Sequence, residues 1–309
     1  IQYCETGFDE NGKLTGMRVR LVGDAGAYPS MGALLPGLTK QMANGTYNLP
    51  KLRFDVAVAI TNTSPTGAYR GAGRPEATAL FERAIDQASI ELGIDPLEIR
   101  RKNFIQSDQF PFDTLTGWTY DTGDYITPLE KAADIIGYEK LREEQRERRN
   151  QGNQNMLGIG VASYVEVTSG GGGSEYASLE IHDDGTATIK AGTSAHGQGH
   201  QTSFAMIVSE HTGIPVEDIR LVQSDTDIVP RGGGTGGSRS LQLGGSAVQN
   251  ATEAVIDKAR NLAAHLLEAA IDDIVVNTDH GTVGVAGVPA TALAWGDLAR
   301  EAHTDLPEG

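Results

Sequence analysis

Two glycine-framed polar stretches constrain this 309-residue chain more than any other feature. They read GTSAHGQGHQT over 192–202 and GGGTGGSRSLQLGG over 232–245. Each falls where a predicted strand gives way to a predicted helix. Backbone without a Cβ can turn its N–H groups towards an anion and let that anion come close. Two such loops predict a large, phosphate-bearing ligand held from two sides. A third stretch, AYRGAGRPE over 68–76, is expected at the same site.

Composition narrows the partners. The net charge of −16 argues against a nucleic-acid surface, which needs a basic stripe. The 39 glycines are clustered rather than periodic, so collagen and simple linkers are excluded. The single cysteine, Cys4, rules out a disulfide framework, a zinc knuckle or an iron–sulfur cluster within this chain. It fits a reducing compartment, and a cytoplasmic location is expected. No apolar run approaches the length of a membrane span. The start, IQYCETGFDENG, reads as the middle of a strand, and the chain stops abruptly at His303-Thr-Asp-Leu-Pro-Glu-Gly309. The expectation is an internal piece of something longer.

Periodicity and punctuation predict an α+β fold with two mixed subdomains, 1–150 and 151–309. Residues 1–28 read as strand, turn at Asn11-Gly12, strand. Helices are predicted over 32–43, 76–92 (ended by Gly93), from Asp95-Pro96 to Arg101, over 128–136 and over 138–150. A strand is predicted over 54–61 and an irregular loop over 105–126. The charged KLREEQRERR run reads as a solvated helix face. Gln151-Gly-Asn-Gln-Asn155 marks the expected boundary, and the cofactor loops are expected to face one another across it. Beyond it come a strand over 157–167, a hairpin over 176–191 turning at Asp183-Asp184-Gly185, a helix over 202–212 and a strand–turn step over 219–225. A long helix over 245–269, a hairpin over 271–291 and a short helix over 295–300 complete the chain.

The chemistry-bearing residues sort by loop. In the first, His196, Gln198, His200 and Thr202 surround Gly197 and Gly199 at a helix start whose free N–H groups suit a phosphate. Gln198 can donate and accept at once, as reading a heterocycle edge requires. Alternatively, this is a glycine-eased turn capped by Thr202. The two histidines lack a third metal ligand at useful spacing, so no protein-held metal is expected. The second loop carries Thr235, Ser238, Arg239 and Ser240, with Arg239 placed to neutralise a phosphate. Neither loop is a P-loop or a dinucleotide fingerprint. Arg70 and Arg74 flank Gly71-Ala72-Gly73; the plain alternative is that one pairs with Glu76 or Asp86. Asp225 and Asp227 read as turn caps. No nucleophile elbow is present, and Cys4 has no activating neighbour.

AYRGAGRPEA, GTSAHGQGHQT and SDTD followed by GGGTGGSRSLQLGGSAV occur in that order. With this set the chain resembles the molybdenum-binding large subunit of the xanthine dehydrogenase and aldehyde oxidase family. It looks closest to the bacterial, carbon-monoxide-dehydrogenase-like branch. The resemblance implies subdomains of the molybdenum-cofactor-binding type and a molybdenum pyranopterin, in bacteria usually the cytosine dinucleotide, with no protein side chain on the metal. Gly197, Gln198 and Gly199, with His196, would contact the pterin and its phosphate region. Gly236, Gly237, Ser238, Arg239 and Ser240 would contact the same cofactor. Arg70, with Gly71 and Ala72 beside it, would lie next to molybdenum, with Arg70 polarising an oxygen of the substrate. Tyr164 and Glu166 would line the substrate pocket. The implied activity is hydroxylation of an aldehyde or N-heteroaromatic carbon with oxygen from water. Electrons would leave through a 2Fe-2S small subunit and an FAD medium subunit, in a dimer of heterotrimers.

Three departures qualify the resemblance. Carbon monoxide dehydrogenases carry a copper-holding cysteine in the arginine loop, where this chain has Gly71. Xanthine-oxidising members place an aromatic where this chain has Ala72. The family's catalytic glutamate, in a C-terminal Gly-x-Gly-Glu, has no match before Gly309. A non-catalytic anion-binding module and a copper-independent carbon monoxide oxidase therefore stay open as alternatives.

Overall fold

The computed structural model describes residues 1–169 and 171–303. Of the glycine run at 170–173, Gly170 lies outside the described residues, as does the chain beyond His303. The chain divides into two compact units, Ile1–Glu166 and Val167–Gly309.

The first unit opens with β1 (Gln2–Phe8) and β2 (Leu14–Asp24), an antiparallel pair. Their turn is held by the Asp9 carboxylate, which accepts the N–H groups of Asn11 and Lys13 at 2.9 and 2.8 Å. β3 (Leu52–Ala59) runs parallel to β2 on its other edge and is reached through α1 (Met31–Gln41). Along β2, Leu14, Met17, Val19 and Leu21 are buried. They meet the apolar face of α2 (Arg74–Leu92), where Leu80, Phe81, Ile85 and Ala88 are buried and Ala79 is not. Gly93 stops α2 in the left-handed conformation, and Asp95 caps α3 (Pro96–Asn103) by accepting the Leu97 N–H at 2.8 Å. Within the expected irregular loop lies a small hairpin, β4 (Phe112–Asp113) and β5 (Thr119–Tyr120). Its turn is tied by Thr114 rather than by an apolar pattern, so periodicity misses it. α4 (Ile126–Ile136) and α5 (Tyr138–Asn150) follow.

The second unit repeats this order. β6 (Ala177–Ile181) and β7 (Ala187–Ala191) are antiparallel, and α6 (His200–Thr212) leads to β8 (Ile219–Val222), parallel to β7. Each unit is thus a hairpin, a crossover helix and a parallel third strand. In each, the third strand runs into a glycine- and arginine-bearing loop and then a long helix: α2 in the first unit, α7 (Ser246–Leu266) in the second. α7 buries Val248, Thr252, Ala259, Leu262 and Ala263, while Leu266 at its end is exposed. It packs with a second sheet, β9 (Ile274–Asn277), β10 (Thr282–Val285) and β11 (Leu293–Ala294), and with α8 (Trp295–Ala302). The Trp295 indole donates to the Thr212 carbonyl at 2.8 Å.

The predicted strand over 157–167 is not a strand. Its residues alternate between half-buried and exposed, as a strand would, but it joins no sheet. Side chains take its backbone instead. Gln145 donates to the Leu157 carbonyl and Arg100 to the Val161 carbonyl, both at 2.9 Å, and the Ser163 backbone bonds Glu82. This anchoring also moves the division of the chain from the expected 150/151 to the bond after Glu166.

The anchor is a buried ionic knot. Arg100 is fully buried and donates Nε and Nη2 to Glu82 at 2.9 and 2.8 Å, Nη2 to Asp86 at 2.9 Å and Nη1 to the Pro96 carbonyl at 2.9 Å. The Tyr47 hydroxyl closes the other side by donating to Glu82. Burial lifts the Glu82 carboxyl above its ordinary pKa range, and Arg100 pulls it back. Removing one member strands the other without water. Arg100→Met should therefore lower the unfolding free energy by about 3–5 kcal/mol in urea titrations. A loss below about 1 kcal/mol would show that the knot does not hold this unit.

Candidate functional site

In the first unit the functional loop follows β3 and is tied to Asp24 at the end of β2. The Asp24 carboxylate accepts the Gly26 N–H at 2.8 Å and the hydroxyls of Thr61 and Thr63 at 2.7 and 3.2 Å. These bonds, the Gly26 N–H first, hold its carboxyl below the usual range. The Thr66 hydroxyl donates to the Asp24 carbonyl at 2.8 Å, so the approach to the arginine loop is latched. The loop itself admits little else at Gly71. Its φ is +130°, and a Cβ there would lie 2.5 and 2.6 Å from the Pro75 ring. Gly73 lies against α1, where a Cβ would be 2.7 Å from the Thr39 nitrogen. Ala72 adopts φ +43°, a left-handed value unusual for a residue with a side chain.

This packing turns Tyr69 and Arg70 outwards; Tyr69 is 90% exposed, and Arg70 makes no ion pair or side-chain hydrogen bond among the described residues. Arg74 does the opposite. Its Nε lies 2.8 Å from the Glu166 carboxylate and its Nη1 donates to the Gly71 carbonyl at 3.3 Å. Neither Glu76 nor Asp86 is its partner; Asp86 pairs with Arg100. Glu166 and Tyr164 share the outward face of the anchored 157–167 segment, since Ile159 and Val161 face the core. The structure therefore brings together Arg70, Gly71, Ala72, Arg74 and Glu166 through one ion pair, with Tyr164 two residues away on the same face.

The two glycine stretches both belong to the second unit, and they are adjacent rather than opposed. A Cβ on Gly232 would lie 2.7 Å from the Gly192 Cα, and the Gly234 N–H donates to the Gly192 carbonyl at 3.3 Å. Hydroxyls of Ser194 and Ser224 also bond across them. Gly244 admits Thr193 at the same junction, where a Cβ would be 2.7 Å from the threonine methyl. That glycine lies in a π-helical segment, Ser240–Gly245, that opens α7; such widened turns recur at functional sites.

Other glycines face open space. No described residue lies within 4 Å of a Cβ placed on Gly197, Gly199, Gly234, Gly236 or Gly237. Gly199 precedes α6 with φ +75° and offers no side-chain cap; Thr202, expected as the cap, lies inside the helix. His196 and Gly199 are exposed, while Gln198 folds back so that its carbonyl oxygen accepts the His196 N–H. His200 is buried and stacked on Phe204 at 5.1 Å between ring centres. Thr193 is wholly buried. The Thr193 hydroxyl and His200 Nδ1 are buried and have no hydrogen-bond partner among the described residues. Buried polar atoms at the open start of a helix, beside bare backbone, are what an anionic heterocyclic ligand would satisfy.

Arg239 has partners within the chain. Its guanidinium lies 3.3 Å from the buried Glu175 carboxylate and donates to the Ser174 carbonyl at 3.1 Å. Of its neighbours, Ser238 is exposed at φ +57°, and Ser240 bonds the Thr235 hydroxyl at 2.7 Å. Asp225 caps its own turn by accepting the Asp227 N–H at 2.9 Å. Among the described residues no group of three or more His, Cys, Asp or Glu is placed to hold a metal, and no helix is long and apolar enough to cross a membrane. Sequence reasoning missed Glu82, Arg100 and Glu175; each is a charged residue buried by a partner that its own neighbours in sequence do not reveal.

Comparison with known proteins agrees with this geometry. The molybdopterin cofactor-binding domain family matches residues 131–308 and, a second time, residues 1–104. The chain is 36% identical over 314 residues to the carbon monoxide dehydrogenase large chain of Hydrogenophaga pseudoflava, across 97% of this chain and 39% of that one. It is 30% identical to the xanthine dehydrogenase molybdenum-binding subunit of Escherichia coli O157:H7, across 96% of this chain and 39% of that one. Quinoline 2-oxidoreductase from Pseudomonas putida 86 superposes with a TM-score of 0.87 at 30% identity, over 98% of this chain and 40% of that one. The chain thus spans about 39% of the length of the curated relatives it matches. With its α+β architecture and both glycine loops in place, the chain belongs to the molybdopterin cofactor-binding domain family of the carbon monoxide dehydrogenase and xanthine dehydrogenase large chains.

Proposed function

We propose that the chain supplies the cofactor cradle and part of the substrate pocket of a molybdenum hydroxylase large subunit. The substrate is an aldehyde or an N-heteroaromatic compound, hydroxylated at carbon with oxygen from water. The observation that carries this is the open polar cradle of the second unit. There α6 begins uncapped, the Thr193 hydroxyl and His200 Nδ1 are buried without partners, and Gly197, Gly199, Gly236 and Gly237 leave room beside them. These residues fit a pyranopterin extended by a nucleotide, which brings both phosphate and heteroatoms.

When bound, the molybdenum pyranopterin supplies the two-electron redox chemistry. The chain's residues bind and orient. The α6 N-terminus and the bare loop backbone hold anionic oxygens. The Gln198 amide NH₂ makes no hydrogen bond among the described residues, which leaves it to donate to a pterin oxygen or nitrogen. In the first unit, Arg70, without a charge partner among the described residues, sits on a loop latched by Asp24 and stabilises negative charge developing on the substrate oxygen. Arg74 fixes Glu166, and Tyr164 beside it offers an apolar ring with a polar tip.

The same reading assigns the cofactor as the cytosine dinucleotide, and electron exit to an iron–sulfur small subunit and an FAD medium subunit in a dimer of heterotrimers. It places the enzyme in a bacterial cytoplasm. Gly71 weighs against a copper site. A cysteine there would need φ +130° and a side chain in the space of the Pro75 ring, so carbonyl and heterocyclic substrates are favoured over carbon monoxide.

The full large subunit, produced with its partners in a host that makes the cofactor, should contain about one molybdenum and one cytosine nucleotide per subunit. Metal analysis and nucleotide release measure both, and the absence of both would overturn the reading. Arg70→Ala should keep that cofactor content while lowering kcat about 100-fold on an aromatic aldehyde or on quinoline, whichever the wild type oxidises. Unchanged turnover would remove Arg70 from the reaction.

A further inference from the structure

The second glycine loop is held from beneath by a residue that neither spacing nor resemblance singles out. The Glu175 side chain is only 1% exposed. One of its oxygens accepts the Tyr176 N–H at 2.9 Å, and both lie within reach of the Gly233 N–H, at 3.3 and 3.1 Å. Arg239 closes the ion pair at 3.3 Å, and its guanidinium occupies the space a Cβ on Gly233 would need. A Cβ on Gly192 would meet the same carboxylate. One buried charge therefore touches both glycine stretches where their backbones come together.

We propose that Glu175 is the positioning residue of the cradle, and that Arg239 acts through Glu175 and not on the cofactor phosphate. This rests on reading the cradle as the pyranopterin nucleotide site. The physical reason is charge accounting in a place without water. If Arg239 swung out to a phosphate, it would leave Glu175 as a lone buried carboxylate and release the Gly233 N–H. Arg239 is also anchored at Ser174, so its guanidinium spans the floor of the loop. The anion then falls to the backbone N–H groups at the start of α6 and along the open glycines, whose direction Glu175 sets.

The test is a double-mutant cycle on the full large subunit made with its partners in a cofactor-competent host: wild type, Glu175→Gln, Arg239→Gln and the double variant. Molybdenum per subunit is measured beside hydrogen–deuterium exchange of the 232–237 amides. Each single variant should lower molybdenum occupancy about tenfold, the usual scale for residues that hold a ligand-binding group from behind. The double variant should lose no more than the worse single one, and Glu175→Gln should speed exchange across 232–237. Should Glu175→Gln not fold, the double variant, which strands no charge, carries the same comparison against Arg239→Gln. Occupancy losses that multiply, or a loss with Arg239→Gln but none with Glu175→Gln, would place Arg239 on the cofactor and overturn the proposal. A wild type without molybdenum would instead overturn the cofactor reading itself.

Discussion

Backbone meets backbone at Gly192 and Gly232, and the shape of the second unit's site depends on that contact. A Cβ on either residue would overlap the other strand of chain, so both positions exclude every other amino acid. The contact draws the end of β7 against the turn that precedes α7. It also explains why two loops some forty residues apart in sequence act as one surface. Glu175 lies under the junction and satisfies the Gly233 N–H, which would otherwise be orphaned. The glycines of this chain consequently do two jobs. Gly192, Gly232 and Gly244 let segments close on one another, whereas Gly197, Gly199, Gly236 and Gly237 keep a surface bare.

The first unit reaches a comparable result with charge instead of close approach. Arg100 gathers Glu82, Asp86, the Pro96 carbonyl and the Val161 carbonyl around one guanidinium. Its bond to Val161 pins an extended segment that no sheet claims. Arg74 then takes the far end of that segment through Glu166. Tyr164 is thereby presented from a fixed backbone, as a pocket residue has to be if orientation is to contribute to rate. The two units share one order of hairpin, crossover helix, parallel strand, loop and long helix, and each places its functional loop after the third strand. A chain passing from a strand into a helix start exposes free N–H groups, and the uncapped start of α6 after β7 offers them in the second unit.

Much of this was legible in the sequence. Asn11-Gly12, Gly93, Asp95-Pro96 and the Asp183-Asp184-Gly185 turn gave element ends because each residue has a local mechanical reason to be there. The glycine loops were legible as a candidate site, but their arrangement was not. Glycine spacing does not distinguish a residue that admits a ligand from one that admits another stretch of chain. Alternation over 157–167 correctly reported two faces, yet it carries no information on what satisfies the backbone, and here side chains do. The pairing of Arg239 with Glu175 was not legible, because Glu175 lies 64 residues upstream and inside the fold. Long-range pairing of buried charges leaves no periodic trace, which is why Arg100 with Glu82 escaped notice in the same way.

The division of glycines into closed and open sets is the centre of this account, and amide hydrogen exchange addresses it directly. Exchange would be followed on the full large subunit with and without its cofactor. The amides of 197–202 and 235–240 should become protected on loading, while those at Gly192, Gly233 and Gly234, already held by backbone and Glu175, should not change. Protection that appeared at Gly192 and Gly233 but left 197–202 untouched would contradict the account.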